Sequence, residues 1–410
     1  MEALKTVTIS KRAELAAKGG HPWIYGSEIK GKDKGIEPGE IVRVLSGKGK
    51  FIGSGFYNEH SKITVRIIST NANDRFDDAF WKRRVSYALD YRLQVMRPED
   101  YDNMRIIFGE ADQLPGLTVD RFGDVLSVQV LSLGIEKNKD IILNSLIEVL
   151  RQHGLPVSCV YERNDVKIRE LEGLTQYKGF FDSPLLNPED RKTITHIVEN
   201  GIHYDVDVEN GQKTGFFLDQ KYNRLAIQKL CKNAKVLDCF THTGSFALNA
   251  GIAGAASVTG VDASQLAVDQ ATANATLNGL SDNVKFICED VFELLPELEE
   301  KGEKFDVVIL DPPAFTKSRN SIKNAVKGYR EINLRAMKLV KDGGFLATCS
   351  CSHFMDYELF TKTIGQAAKN VHKRLRQVEY RTQAPDHPIL WAADESYYLK
   401  FYIFQVCNDR

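Results

Sequence analysis

From residue 235 onward, short apolar runs recur at intervals long enough for one helix each, and this alternation limits the fold more than any other feature. The runs are Lys235–Cys239, Ser257–Val261, Val284–Cys288, Phe305–Leu310 and Gly344–Thr348. Strands joined by helices in this rhythm predict an α/β fold, a doubly wound and mostly parallel sheet with right-handed crossovers. Two later runs, Gln377–Tyr380 and Tyr397–Val406, add antiparallel strands at one edge and bring the sheet to seven.

The first 190 residues lack this rhythm. Residues 1–70 hold glycine-punctuated β-type runs at Gly39–Leu45, Phe51–Tyr57 and Lys62–Ile68, which predict a small β-barrel. Asn71–Arg75 is polar and reads as a linker. Helices over Asp77–Met96 and Lys137–Gln152 flank two strands, Leu117–Phe122 and Val125–Leu131, joined by a Gly123-Asp124 turn. With further β-type runs near Cys159 and Val166 they predict an α+β middle domain. The expected division is therefore 1–70, 71–190 and 191–410.

Composition removes several classes. No run of eighteen apolar residues exists, so no helix spans a membrane, and Met1–Lys5 has no apolar core of a secretion signal. Seven cysteines without disulfide or zinc spacing fit a reduced, cytoplasmic protein with no bound metal. The net charge of −1 hides an asymmetry, because residues 1–70 carry 12 Lys and Arg against 7 Asp and Glu. Positive charge attracts phosphate, which makes this module the place to look for a nucleic-acid contact. An imbalance of this size also serves solubility alone.

The ends of the parallel strands carry the chemistry. The first ends in Asp238-Cys239-Phe240-Thr241-His242-Thr243-Gly244, with Asp238 at the carboxyl end and Gly244 where a helix begins. Three glycines for a pyrophosphate are missing, so the segment departs from the dinucleotide fingerprint. A carboxylate there holds a cationic amino group, which suits the amino-acid head of S-adenosylmethionine better than NAD. The second strand ends at Asp262, placed to accept two ribose hydroxyls, and the third at Asp290, placed to accept from an adenine amine. Each acid alone also fits an ordinary helix cap. The fourth strand runs into Asp311-Pro312-Pro313-Ala314-Phe315, where two prolines stiffen a loop able to press on a flat base.

These stations look like those of class I methyltransferases. The whole chain resembles the bacterial PUA-domain 23S ribosomal RNA cytosine-5 methyltransferases. The resemblance rests on His21-Pro22-Trp23, Gly116–Gly123, Lys213–Gln220, the strand-end acids and Ser350-Cys351-Ser352, and so covers nearly the full length. It implies a Rossmann-like catalytic domain, S-adenosylmethionine as cofactor and large-subunit ribosomal RNA as partner. It also implies that Thr214, Phe217 and Gln220 lie over the methionine end of the cofactor, beside Phe240, Thr243 and Gly244. Residues 1–70 resemble a PUA domain.

Carbon 5 of cytosine is too weak a nucleophile to take a methyl group unaided. A thiolate adding at carbon 6 makes carbon 5 nucleophilic, and a base then removes the carbon-5 proton so that the thiol leaves. Cys351 matches the family's nucleophile by its distance from Gly344. Cys349, two positions earlier, is the competing thiol, and alternation would point both to the same side. Another branch of cytosine-5 enzymes carries a cysteine after the fourth-strand proline; Ala314 and Phe315 stand here instead. Asp311 is the candidate base or orienting acid, with Pro312 and Phe315 against the base. Lys11, Arg12, Lys18, His21 and Trp23 form a candidate RNA contact, with Arg121, Arg163 and Arg224 extending it. Methylation of an RNA nitrogen and a non-catalytic ribosome assembly factor are the alternative functions. Whether the chain acts alone or as a homodimer is left open.

Overall fold

The computed structural model describes residues 4–316 and 318–408, in two compact units. The first runs to Ile197 and takes in 205–218 and 385–396; the second comprises 198–204, 219–384 and the chain from 397. No helix among the described residues is long and apolar enough to cross a membrane.

The first unit holds two sheets. One is built from β1 (Thr6–Ile9), β2 (Trp23–Tyr25), β3 (Ile29–Lys32), β4 (Ile41–Ser46), β5 (Phe51–Tyr57) and β6 (Ile63–Ser69), in the order β2-β6-β5-β4-β1-β3. Strands β4–β6 are the three read from sequence. The short β1–β3 and helix α1 (Lys11–Lys18) are additional, because three- and four-residue strands carry too few alternations to register. Val7, Ile9, Ile24, Val42, Val44 and Val65 fill the core. Helix α2 (Asp78–Val95) starts where Asp77 caps the Phe80 amide.

The second sheet has the order β11-β10-β9-β8-β7, from β7 (Asn103–Phe108), β8 (Leu117–Phe122), β9 (Val125–Val130), β10 (Cys159–Asn164) and β11 (Tyr177–Phe180). The β8–β9 hairpin turns at Gly123-Asp124, with Phe122 opposite Val125. Helix α3 (Leu133–Gln152) makes the β9–β10 crossover, and those two strands run parallel. A two-stranded ladder of β12 (Ile194–Glu199) and β13 (Ile202–Asp207) follows.

The second unit is the predicted seven-stranded sheet. Helix α4 (Lys221–Gln228) precedes β14 (Lys235–Cys239), α5 (Ser245–Ile252), β15 (Ser257–Asp262), α6 (Gln265–Leu277), β16 (Val284–Cys288) and α7 (Val291–Glu300). Then come β17 (Phe305–Leu310), α8 (Ile322–Leu339), β18 (Val340–Ser350), α9 (Tyr357–Asn370), β19 (Lys373–Arg381) and β20 (Lys400–Asn408). The order is β16-β15-β14-β17-β18-β20-β19; the first five strands are parallel, and β20 is antiparallel to both neighbours. Central strands covered on both faces must be apolar throughout, which is why β17 reads Phe-Asp-Val-Val-Ile-Leu with only Asp306 short of full burial. The carboxyl ends of β14 to β18 therefore share one rim, where such sheets bind ligands.

Candidate active site

The loop from β14 into α5 is shaped by backbone rather than by side chains. Phe240, His242 and Gly244 all have positive φ (64°, 50° and 82°), a conformation that costs non-glycine residues free energy and concentrates at functional sites. A Cβ at Gly244 would lie 2.7 Å from the Phe286 ring, so only glycine fits there.

Asp238 is wholly buried behind this loop. Its Oδ2 accepts from the Thr241 hydroxyl (2.6 Å) and the Ala247 amide (2.9 Å), which ties it to the first turn of α5. Its Oδ1, also buried, has no hydrogen-bond partner among the described residues. Burial, with Asp311 and Asp262 adding repulsion, raises its pKa to about 7. An unsatisfied carboxylate oxygen is unfavourable in isolation and suits an incoming cationic amine, so the site fits the head group of S-adenosylmethionine. Asp262, partly exposed, accepts from the His242 and Ser264 amides (both 2.9 Å), and lone pairs remain for ribose hydroxyls. Asp290 is exposed and caps α7 through the Phe292 amide (2.8 Å). The Thr243 side chain is buried, and its carbonyl accepts from Asn274 (3.0 Å). Phe240 packs edge-on to Phe292 and Phe315, with centroids 6.5 and 6.4 Å away.

At the β17 and β18 ends, a second cluster forms. Asp311 Oδ1 accepts from Gln220 Nε2 (3.0 Å) and from the Cys349 thiol (2.9 Å). Gln220 also donates toward Cys349 Sγ (3.4 Å) and accepts from Asn223 (2.6 Å). Burial raises the Asp311 pKa to about 6, and burial with the Asp311 charge lifts the Cys349 thiol well above its usual range. Strand β18 ends at Ser350, so alternation does not continue to Cys351. Both sulfurs nonetheless face the β17 loop: Cys349 donates to the Leu310 carbonyl (3.3 Å), while Cys351 Sγ lies 3.9 Å from the Pro312 carbonyl oxygen. Cys349 is sealed at 1% exposure and Cys351 is partly exposed, so only the latter has open surface for a substrate. The Phe315 ring leans on Tyr329 (4.6 Å), whose hydroxyl links Ser350 (2.9 Å) and Ser352 (3.1 Å).

The other residues singled out from sequence have partners of their own. Thr214 and Phe217 belong to the first unit, where the Thr214 hydroxyl donates to Asp120 (2.5 Å). Arg121, Arg163 and Arg224 are corrected as RNA contacts, because all three are buried and a buried guanidinium cannot reach a phosphate. Arg121 donates to the Pro156 carbonyl (2.8 Å), Arg163 to the carbonyls of Val208 (3.0 Å) and Gly211 (2.8 Å), and Arg224 forms a two-point pair with Glu199 (2.7 and 2.9 Å). Lys11 and Arg12 are exposed on α1. Trp23 donates its indole N–H to Glu110 (2.8 Å), His21 stands edge-on to it, and Lys18 pairs with Glu14 (2.6 Å). Sequence reasoning did not single out Lys400, a lysine at the head of a mostly apolar strand, nor Asp219, whose buried Oδ1 lacks a hydrogen-bond partner among the described residues.

Comparison with known proteins agrees with this arrangement. The PUA-like domain family matches residues 7–70, and the S-adenosylmethionine-dependent methyltransferase family matches 167–402. Ribosomal RNA large subunit methyltransferase I of Aliivibrio fischeri is 38% identical over 402 residues, covering 98% of this chain and 99% of the relative. Its namesake from Escherichia coli O139:H28 is 35% identical over 401 residues, covering 98% and 99%. Among solved structures, a putative SAM-dependent methyltransferase from Streptococcus mutans shares the fold at TM-score 0.80 and 20% identity, covering 98% of this chain and 99% of that one. SMU.776, a putative methyltransferase complexed with SAH, does so at TM-score 0.81 and 19% identity, covering 98% and 99%. The chain belongs to the S-adenosylmethionine-dependent methyltransferase family and, with its N-terminal PUA-like domain, to the group of the ribosomal RNA large subunit methyltransferase I proteins.

Proposed function

We propose that the protein methylates carbon 5 of a cytosine in large-subunit (23S) ribosomal RNA, with Cys351 as nucleophile and Asp311 as acceptor of the carbon-5 proton. The observation that carries the reading is the partly exposed Cys351 thiol against the Pro312 loop, together with the half-buried Asp311 carboxyl whose pKa of about 6 suits proton transfer near neutrality. The names of the relatives support the RNA substrate.

The chain's own groups divide the work. Asp238, Phe240, Thr243, Gly244, Asp262 and Asp290 would hold S-adenosylmethionine, which would supply an electrophilic methyl group. The Cys351 thiolate forms a bond to carbon 6, and the electrons of the 5,6 double bond make carbon 5 nucleophilic. After methylation, Asp311 takes the carbon-5 proton, the double bond re-forms and the electron pair of the carbon–sulfur bond returns to sulfur. Cys349 holds Asp311 in place and, sealed from solvent, does not attack. Pro312 and Phe315 shape the wall against the base. Residues 1–70 capture RNA through Lys11, Arg12 and Trp23, residues 71–190 form a connecting domain, and residues 191–410 do the chemistry, in the cytoplasm.

Unmodified large-subunit RNA, the purified protein and S-adenosylmethionine, followed by nucleoside mass spectrometry, test this directly. The expected product is 5-methylcytidine, absent with Cys351→Ala although that variant still binds cofactor by calorimetry. An N-methylated base, or full activity of the variant, overturns the reading. No cofactor binding by the wild type would point to an assembly factor.

A further inference from the structure

Lys400 opens β20 directly opposite Ser350, the last residue of β18. It is 1% exposed, and a cation is rarely buried so deeply without an anion. Its Nζ donates to the carbonyls of Ser352 (2.7 Å) and Tyr398 (2.8 Å), with the Tyr397 ring 5.9 Å away. No carboxylate pairs with it among the described residues. Held by Ser352, the residue after Cys351, the ammonium is fixed against the segment that carries the partly exposed thiol.

Two carbonyl dipoles neutralise a buried ammonium only in part, so a neighbouring group able to become an anion is its natural counter-ion. Held on the carbonyl of the residue after Cys351, the ammonium has that thiol as its neighbour in sequence and in charge. Burial, Asp311 and Asp219 push the Cys351 thiol up to about 12, and the Lys400 charge opposes them. Burial pulls Lys400 down to about 8, while Cys351, Asp356 and Cys349 favour its charge. Tyr329, bonded to Ser350 and Ser352, is neutral, its phenol pushed up by burial.

We propose that Lys400 is a positioning residue whose fixed ammonium is the counter-charge of the Cys351 thiolate. The proposal rests on the reading of Cys351 as nucleophile. The Cys351 proton leaves to water and Lys400 stays protonated throughout. The sulfur lone pair enters the bond to carbon 6 and returns to sulfur on elimination. The ammonium therefore favours the two moments at which sulfur is negative, before attack and after release, and is indifferent to the neutral thioether between them.

The test is alkylation of the full-length protein by iodoacetamide from pH 6 to 10, without RNA, with each cysteine read by peptide mass spectrometry. Lys400→Met and Lys400→Gln should slow labelling of Cys351 about tenfold at pH 8, and Lys400→Arg should restore it to within about twofold of the wild type. Exposed Cys288 should label equally in all four proteins as an internal standard, and buried Cys231 and Cys239 should stay protected, which reports an intact fold. An unchanged Cys351 rate in either neutral variant overturns the proposal. If both neutral variants unfold, Lys400→Arg decides alone. The wild-type profile should inflect near pH 8 as Lys400 loses its charge, and arginine, which keeps its charge, should remove that inflection. An inflection that persists is equally fatal. Retained methylation by Cys351→Ala would sink the nucleophile reading instead, and leaves the alkylation result standing as a separate fact.

Discussion

Two regions bury charge in opposite ways. In the first unit, buried carboxylates are matched by cations. Arg105 forks onto Asp120 (2.7 Å twice), Arg92 pairs with Asp112, and Arg169 reaches Glu136 as well as the Thr175 and Val130 carbonyls. At the carboxyl rim of the seven-stranded sheet, buried and half-buried ionic groups are left incomplete. Asp238 and Asp219 each hold a carboxylate oxygen without a hydrogen-bond partner, Asp311 is pushed toward neutrality, and Lys400 has only carbonyls. Matched charges specify packing; unmatched ones wait for something the chain does not itself contain.

Substitutions can break this contrast. The largest expected effect is on turnover: Asp311→Asn should lower methylation by about 10²- to 10⁴-fold, the range for loss of a general base, and should let an RNA–protein adduct resistant to denaturing gels accumulate. A proportional loss without adduct would move the proton elsewhere. Next, Asp238→Asn should weaken S-adenosylmethionine binding at least about a hundredfold by calorimetry. The same change should stabilise the cofactor-free protein. A carboxyl whose folded pKa is raised from 3.8 to about 7 destabilises the fold increasingly as pH climbs through that interval. The gain in unfolding free energy should therefore reach as much as ~4 kcal/mol at pH 8 and vanish below pH ~4.

The matched region should answer in the other direction. Arg105→Met strands Asp120 and should cost about 3–5 kcal/mol by denaturant unfolding, with cofactor affinity unchanged. Equal stability would mean that the pairs there are dispensable. Smallest is the surface: the Lys11→Glu, Arg12→Glu double variant should weaken RNA binding several-fold at low salt, with the difference fading as salt rises.

The contrast also explains what could be read from residues alone. The central parallel strands β14 and β17 announce themselves because burial on both faces leaves a mostly apolar run. The rim acids follow from the strand ends. The arginines do not, since Arg121 in a β8 hairpin strand and Arg224 on α4 look locally like any surface arginine. Only the tertiary placement of Pro156 or Glu199 decides their burial. The resemblance points Gln220 toward the cofactor, but no local signal foretells the bonds of its amide to Asp311 and Cys349, contacts 91 and 129 residues away in sequence. Lys400 left a faint trace, one charge heading the run Phe401–Val406, but nothing local says that its neighbour across the sheet precedes a thiol.

The threading of β20 between β18 and β19 has a consequence for the newborn chain. Among the described residues edge strand β19 pairs with β20 alone, so neither can dock until the segment from Lys400 has been synthesised and has slipped in beside β18. The ammonium beside the thiol arrives with that same segment. A polypeptide still held by the ribosome that is making it therefore has its reactive sulfur but not the charge that tunes it, and reactivity is deferred until translation of this strand is over.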